Sequence, residues 1–187
     1  MITITTPPKL SFKDYLNYDD GTDNRYELED GELILMNPPT GRHALVIYNL
    51  NNAFVAEINR LSLSWICLQN IGIRTSINRS RIPDLCIVTR EQIQEKLDVS
   101  AVLESPAILA IEMVSPESKI RDYRYKRSEY SVVGIPEYWI IDPSEQKITI
   151  LQLVEGLYEE QSYQGNQRII SLIFPELNLT PEQIFNL

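Results

Sequence analysis

Histidine occurs once in this chain and cysteine twice, and that scarcity closes off several chemistries at the outset. Cys67 and Cys86 both lie in apolar, strand-like stretches with no short-spaced Cys or His beside them. Zinc sites and disulfide frameworks need such partners, so two buried reduced thiols are expected instead. No apolar run approaches the roughly 18 residues that span a bilayer. The opening MITITTPPKL lacks the basic region and apolar core of a secretory signal, so the expected location is cytoplasmic. Basic residues are also short: 17 Lys and Arg stand against 26 Asp and Glu, for a formal charge of -9. A protein that coats nucleic acid draws its affinity from neutralised phosphates, so that role is disfavoured. A local basic surface can still sit on an acidic protein.

What is present is an ordinary globular composition, 43% hydrophobic and 23% charged over 187 residues, which suits one domain spanning 1–187. Residues 11–18 read as a short helix capped by Ser11. Arg25 to Met36 reads as a β-hairpin turning at Asp30-Gly31. Thr40 can cap a long helix to about Leu61, with an apolar stripe of Ala44, Ile47, Leu50, Phe54, Ile58 and Leu61. Strands are expected at SWICLQ, IRTSI and PDLCIVT, with Asn78 to Arg81 as a polar turn before the third. A charged, partly helical insertion fills 90–104. PAILAIEMV (106–114) is an apolar run broken only by Glu112, as in a buried central strand. A helix ending at Gly134 follows, then strands EYWIID, KITILQLV and LYEEQSY, and a closing helix capped by Thr180 with Pro181 in its first turn. The order implies an α/β fold with a mixed central sheet.

Two carboxylates stand in surroundings that do not suit a carboxylate. Asp84 opens Pro83-Asp84-Leu85-Cys86-Ile87-Val88, and Glu112 sits near the end of Ile108 to Val114. A charge inside an apolar strand is costly unless it is paired or coordinated. On adjacent strands the two would aim hard oxygen ligands at one spot, which suits Mg²⁺ or Mn²⁺. Taken singly, Asp84 could equally be a surface residue capping a turn, and Glu112 a buried acid paired with an arginine. The basic segment that follows favours the joint reading: SKIRDYRYKR carries Lys119, Arg121, Arg124, Lys126 and Arg127 against Asp122 alone.

These motifs, in this order, resemble a known family. Ile82-Pro83-Asp84, Ile111 to Pro116, Asp122 to Tyr130 and Gly134-Ile135-Pro136-Glu137-Tyr138-Trp139-Ile140-Ile141-Asp142 are similar to the Uma family of restriction-type endonucleases, within the PD-(D/E)XK nuclease superfamily. The hairpin, the following Pro-Pro and His43 match its N-terminal region, so the resemblance covers nearly the whole chain. It implies a restriction-endonuclease-like sheet flanked by helices, with an N-terminal β-hairpin. It also implies a Mg²⁺ or Mn²⁺ ion held by Asp84, Glu112 and the Met113 carbonyl.

The superfamily pattern places a lysine two residues after the acid, where this chain has Val114. Lys126 is the candidate replacement. Tyr123, Lys126 and Tyr130 share a helical face at i, i+3 and i+7, and the two rings suggest that this face packs inward. The alternative is a solvated Lys126, with Lys119 in reserve. The resemblance also implies an acidic residue from the N-terminal part, which is Glu27; its alternative is a hairpin residue facing solvent. His43 reads as a helix-start polar residue outside the catalytic set, and Tyr138 and Trp139 read as core.

The function expected is metal-dependent hydrolysis of nucleic-acid phosphodiester bonds, with DNA as the expected substrate. Arg121, Arg124, Arg127 and Lys119 would receive backbone phosphates. The alternatives are a catalytically inactive nucleic-acid-binding or assembly module on the same fold, and a hydrolase of another phosphoester. A homodimer is expected, formed through the hairpin or the strands at 147–163, where Leu33, Leu35, Leu151, Leu153 and Tyr158 look undercovered by one small core.

Overall fold

The computed structural model describes residues 9–186. Helix α1 (Phe12–Leu16) starts at Ser11, whose side chain accepts from the Asp14 amide while the Asp14 carboxylate reaches back. Strands β1 (Tyr26–Glu29) and β2 (Glu32–Leu35) form the hairpin, with Asp30 and Gly31 both at positive φ as a tight primed turn requires. Helix α2 (Gly41–Arg60) is capped by Thr40. It is followed by β3 (Trp65–Leu68), β4 (Gly72–Ser76), β5 (Arg79–Arg81), β6 (Leu85–Thr89), α3 (Arg90–Gln94) and β7 (Val102–Leu103). Strand β8 (Leu109–Met113) leads to a π-helical stretch, Arg121–Lys126, that runs into α4 (Arg127–Val133). Gly134 ends α4 in the left-handed conformation, φ 86. Strands β9 (Glu137–Asp142), β10 (Lys147–Val154) and β11 (Leu157–Gln164) and helix α5 (Pro181–Phe185) complete the order.

The strands form two mixed sheets rather than one. The larger has the order β11-β10-β9-β8-β6-β3, with β8 and β9 parallel and fully buried. The smaller has the order β2-β1-β5-β4-β7. Side-chain alternation divides the large sheet's two faces. Leu85, Ile87, Leu109, Ile111, Trp139 and Ile141 pack with Val46, Ile47, Leu50, Phe54 and Ile58 of α2. Cys86, Val88, Ala110, Tyr138 and Ile140 pack with Tyr130 of α4 and with Ile73 and Leu103 of the small sheet. The second face therefore meets both α4 and the small sheet.

Three local expectations change. Residues 79–81 form a strand, not a turn: Ile77 sits exposed at the tip of the β4–β5 hairpin, and Arg81 is fully buried because carboxylates surround it. On α2, Val46 joins the buried stripe, whereas Ala44 and Leu61 are exposed. Leu151 and Tyr158, expected at a subunit interface, belong to the core; Leu35 remains half exposed. Both cysteines are buried and free, and burial pushes the Cys67 thiol up to about 12.

Candidate active site

The alternation that builds the large sheet also aims its two anomalous acids. β6 and β8 run antiparallel with Leu85 opposite Ile111, so one step further sets Asp84 opposite Glu112. Residues directly opposite point to the same side of a sheet. That side is the α4 face, because Cys86 and Ala110 share the parity of Asp84 and Glu112. Asp84 Oδ2 accepts the Met113 N–H at 2.7 Å, which ties the start of β6 to the end of β8. Asp84 Oδ1 lies 3.1 Å from His43 Nε2 on the first turn of α2. Glu112 is 3% exposed, and its Oε1 accepts from the Tyr130 hydroxyl at 2.7 Å and lies 2.8 Å from Lys126 Nζ. Burial holds the Glu112 carboxyl well above its ordinary pKa, against the pull of Lys126.

Lys126 ends the π-helical stretch, a wide-turned geometry frequent at functional sites. It turns Lys126 and Asp122, four residues apart, both inward. Three buried carboxylates surround the Lys126 ammonium: Glu112 at 2.8 Å, Glu27 at 3.3 Å and Asp122 at 3.5 Å. Burial alone would lower the Lys126 pKa, but Glu112, Glu27 and Asp122 outweigh it, so the pKa is raised. Burial likewise pushes Glu27 up, and Lys126 and Arg81 overcome it, leaving Glu27 below its ordinary value. Asp122 is raised, burial prevailing over Lys126 and the Ser118 hydroxyl, and its Oδ1 has no hydrogen-bond donor.

The surroundings of Glu27 extend this cluster. Its Oε1 accepts the Ile82 N–H at 3.0 Å, and its Oε2 lies 3.2 Å from Arg81 Nη1. Arg81 also forks onto Glu129 of α4, at 2.8 Å and 2.7 Å. Four buried carboxylates, Glu27, Glu112, Asp122 and Glu129, thus face two buried cations, Lys126 and Arg81.

Among the described residues, no group of three or more His, Cys, Asp or Glu side chains is arranged to hold a metal ion. Two carboxylates remain, Asp84 and Glu112, beside the backbone of Met113. A small hard cation that keeps several of its waters takes one or two protein carboxylates, so this donor set suits Mg²⁺ or Mn²⁺. The excess of buried negative charge also favours a cation.

Lys126 and Glu27 are buried, not solvated, and both join Glu112. The surface cations are placed differently. Lys119 is paired with Asp142 at 3.1 Å and Glu145 at 2.6 Å, and Arg127 with Glu160 and the Tyr158 carbonyl. Arg124 is exposed, and Arg121 lies close enough for its charge to lower Glu27 and Asp122. Five residues of the cluster were given no site role from the sequence: His43, Arg81, Asp122, Glu129 and Tyr130, the last read only as part of the inward face. His43 stood out as the lone histidine. Asp122 stands four residues before Lys126, as Tyr130 stands four after it, and that spacing could have added Asp122 to the inward face read for Lys126 and Tyr130.

A family model described as "putative restriction endonuclease", Uma2, matches residues 12–182. The chain belongs to the Uma2 family. No curated protein matches it in sequence. Among solved structures, this Uma2 chain is similar to a crystal structure titled as a "putative nuclease belonging to DUF820" from Anabaena variabilis. The TM-score is 0.78 at 16% identity, over 95% of this chain and 98% of that one. The likeness supports the restriction-endonuclease-like α/β reading of the fold. No helix among the described residues is long and apolar enough to cross a membrane.

Proposed function

We propose that this Uma2 protein is a divalent-metal-dependent endonuclease, acting as a single domain over 1–187, that hydrolyses phosphodiester bonds in DNA. The observation that carries the reading is Lys126 Nζ at 2.8 Å from Glu112, on the sheet face that Asp84 shares. Val114 leaves the usual lysine position empty of charge, and Lys126 restores an ammonium beside the acid from a different element.

Asp84, Glu112 and the Met113 carbonyl would hold Mg²⁺ or Mn²⁺. The ion, when bound, supplies a Lewis acid for a phosphoryl oxygen and lowers the pKa of a water. Lys126 stabilises the negative charge that develops on the phosphate, from a site whose dipoles and charges are already oriented. Glu27 and Asp122 keep that ammonium protonated and in place. Arg121 and Arg124 receive flanking phosphates. Lys119 and Arg127 must first leave their acidic partners to do the same.

The test is cleavage of duplex DNA, single-stranded DNA and RNA with Mn²⁺ or Mg²⁺. Metal-dependent scission of DNA by the wild type, absent in Asp84→Asn, is the expected result. Binding without scission under every metal would instead support the inactive nucleic-acid-binding module. The chain is expected to form a homodimer, because cutting both strands of a duplex calls for two sites. A monomer by sedimentation at micromolar concentration would remove that part of the reading.

A further inference from the structure

We propose that Arg81 is a positioning residue of this site: its buried guanidinium holds Glu27 and Glu129 together and so seats Lys126 against Glu112. The inference rests on the nuclease reading for its catalytic meaning, but not for its structural claim.

Arg81 sends its side chain to Glu27 at 3.2 Å, to Glu29 at 3.0 Å and to Glu129, the Ile82 N–H donates to Glu27, and Asp84 supplies the site carboxylate. Three roles within residues 81–84 fix this segment to the hairpin, to α4 and, through Asp84 and the Met113 N–H, to β8. Glu27 divides its two oxygens accordingly. Oε2 belongs to Arg81, which leaves Oε1 for the Ile82 amide and Lys126. Without Arg81, no other group among the described residues holds Oε2, and the carboxylate is free to rotate away from the ammonium.

The other arm acts on the helix. Glu129 follows Lys126 by three residues, so the two share a face. Arg81 grips Glu129 through two parallel bonds, Nε to Oε2 at 2.8 Å and Nη2 to Oε1 at 2.7 Å. Thr75 Oγ1 donates to the same carboxylate at 2.8 Å, and Arg79 Nη1 lies 3.2 Å from it. The fork therefore pins the helix that carries Lys126 to the strand that leads into Asp84. Arg81 is fully buried and its guanidinium is taken up by Glu27, Glu29 and Glu129, so it acts through these partners. A lysine at this position keeps the charge but cannot bond both carboxylates in the same plane.

The experiment uses full-length Arg81→Lys and, as a variant that leaves Glu27 untouched, Glu129→Gln. Two quantities are read: steady-state cleavage, and the ammonium resonance of Lys126 in ¹⁵N-labelled protein, assigned by its loss in Lys126→Met. In Arg81→Lys, kcat is expected to fall about 10- to 100-fold at unchanged KM, with the Lys126 resonance broadened or lost. Glu129→Gln is expected to change both in the same direction by less. In a Glu27→Gln background, Arg81→Lys should add little to the loss of kcat.

A Lys126 resonance unchanged in both folded variants overturns the proposal, whatever happens to cleavage. So does a lost resonance with kcat intact, or a wild type that shows no Lys126 resonance. If Arg81→Lys does not fold, Glu129→Gln decides alone by the same criteria. If the wild type cuts no substrate, the nuclease reading fails, and the resonance decides whether Arg81 seats Lys126.

Discussion

The helix that follows Glu112 is charged on both sides, and the two sides behave as different physical systems. Inward, Asp122, Lys126 and Glu129 are buried, and each lies within 3.5 Å of an opposite charge. Outward, Lys119, Arg124 and Arg127 are wholly or partly exposed, and Lys119 and Arg127 each meet a carboxylate that water also reaches, Glu145 and Glu160, although Lys119 also touches the buried Asp142. Removing one partner from a buried pair strands a charge, at a cost of about 3–5 kcal/mol. Removing one from an exposed pair costs about 1 kcal/mol or less. The same residue types in one short segment are thus suited to opposite tasks: a fixed ammonium for a reaction, and replaceable cations for a polyanion.

The strongest attempt to break this contrast is Lys126→Met, which keeps the volume and deletes the charge. Cleavage is expected to fall about 100- to 1000-fold, as when a preorganised donor to developing charge is removed. Stability should fall by about 3–5 kcal/mol, because Glu112, Glu27 and Asp122 lose their shared cation. Denaturant unfolding and a single-turnover assay measure the two effects. A loss of stability without a loss of cleavage would make Lys126 structural. Next comes His43→Ala. His43 Nε2 lies 3.1 Å from Asp84 Oδ1 and orients a proposed ligand. Outer-shell partners of this kind are worth about 10- to 100-fold in metal affinity or activity, so a Mn²⁺ titration should show weaker binding. Unaltered Mn²⁺ affinity would return His43 to its plain role in the first turn of α2.

A pH experiment sharpens the inward side. Glu112 has a raised pKa in the folded protein, burial being the main cause, so the folded state binds its proton more tightly than the unfolded chain does. Its contribution therefore favours folding fully below the ordinary value of 4.5 and declines as pH rises above that value toward the folded pKa. Glu27 has the opposite sign: its pKa is lowered, so its contribution is present above 4.5 and lost as pH falls through the folded value. Glu112→Gln should remove the first trend, making the variant's melting temperature relative to wild type rise with pH from 4.5 upward. Glu27→Gln should make the relative melting temperature fall over the acidic range as pH increases. Melts at a series of pH values check both slopes, and identical slopes for the two variants would contradict the assignment.

Much of this contrast could be read before the structure, and the reasons are specific. Capping signals and strand periodicity located the hairpin, α2, β8 and α4, because local backbone preference and burial agree there. Asp84 and Glu112 stood out because charge inside an apolar strand is costly and rarely accidental. Arg81 was hidden by the opposite circumstance. In sequence it is one of four polar residues that look like a turn, and only long-range partners from β1 and α4 make its burial possible. The second sheet was hidden for the same reason, since β5 links β1 to β4 through residues with no apolar pattern. The π-helical stretch was invisible because it conserves the residues of an α-helix while changing their angular spacing. Pairing on the surface was missed too: the count of cations in SKIRDYRYKR says nothing of Glu145 and Glu160, which come from β10's approach and from β11.

The smallest expected effect tests the outward side on its own terms. Arg124 is exposed, and no carboxylate is paired with it among the described residues, whereas Arg127 is paired with Glu160 and donates to the Tyr158 carbonyl. If both bound phosphate equally, each alanine variant would lower the slope of log affinity against log salt by about one. The pairing makes the two unequal. Arg127 must give up Glu160 before it gains a phosphate, so the exchange yields little, and the freed Glu160 then repels the backbone. Arg124→Ala is therefore expected to reduce the slope by about one and weaken binding uniformly across sequences, while Arg127→Ala changes the slope by less. Glu160→Gln gives the converse: it releases Arg127 and should steepen the slope toward that of one added contact. Binding measured by anisotropy at several salt concentrations, with catalysis blocked by Asp84→Asn, separates these outcomes. Equal slopes for Arg124→Ala and Arg127→Ala would show that exposed ion pairs on this face exchange with phosphate freely, and that only the buried side of the helix holds its charges in fixed partnership.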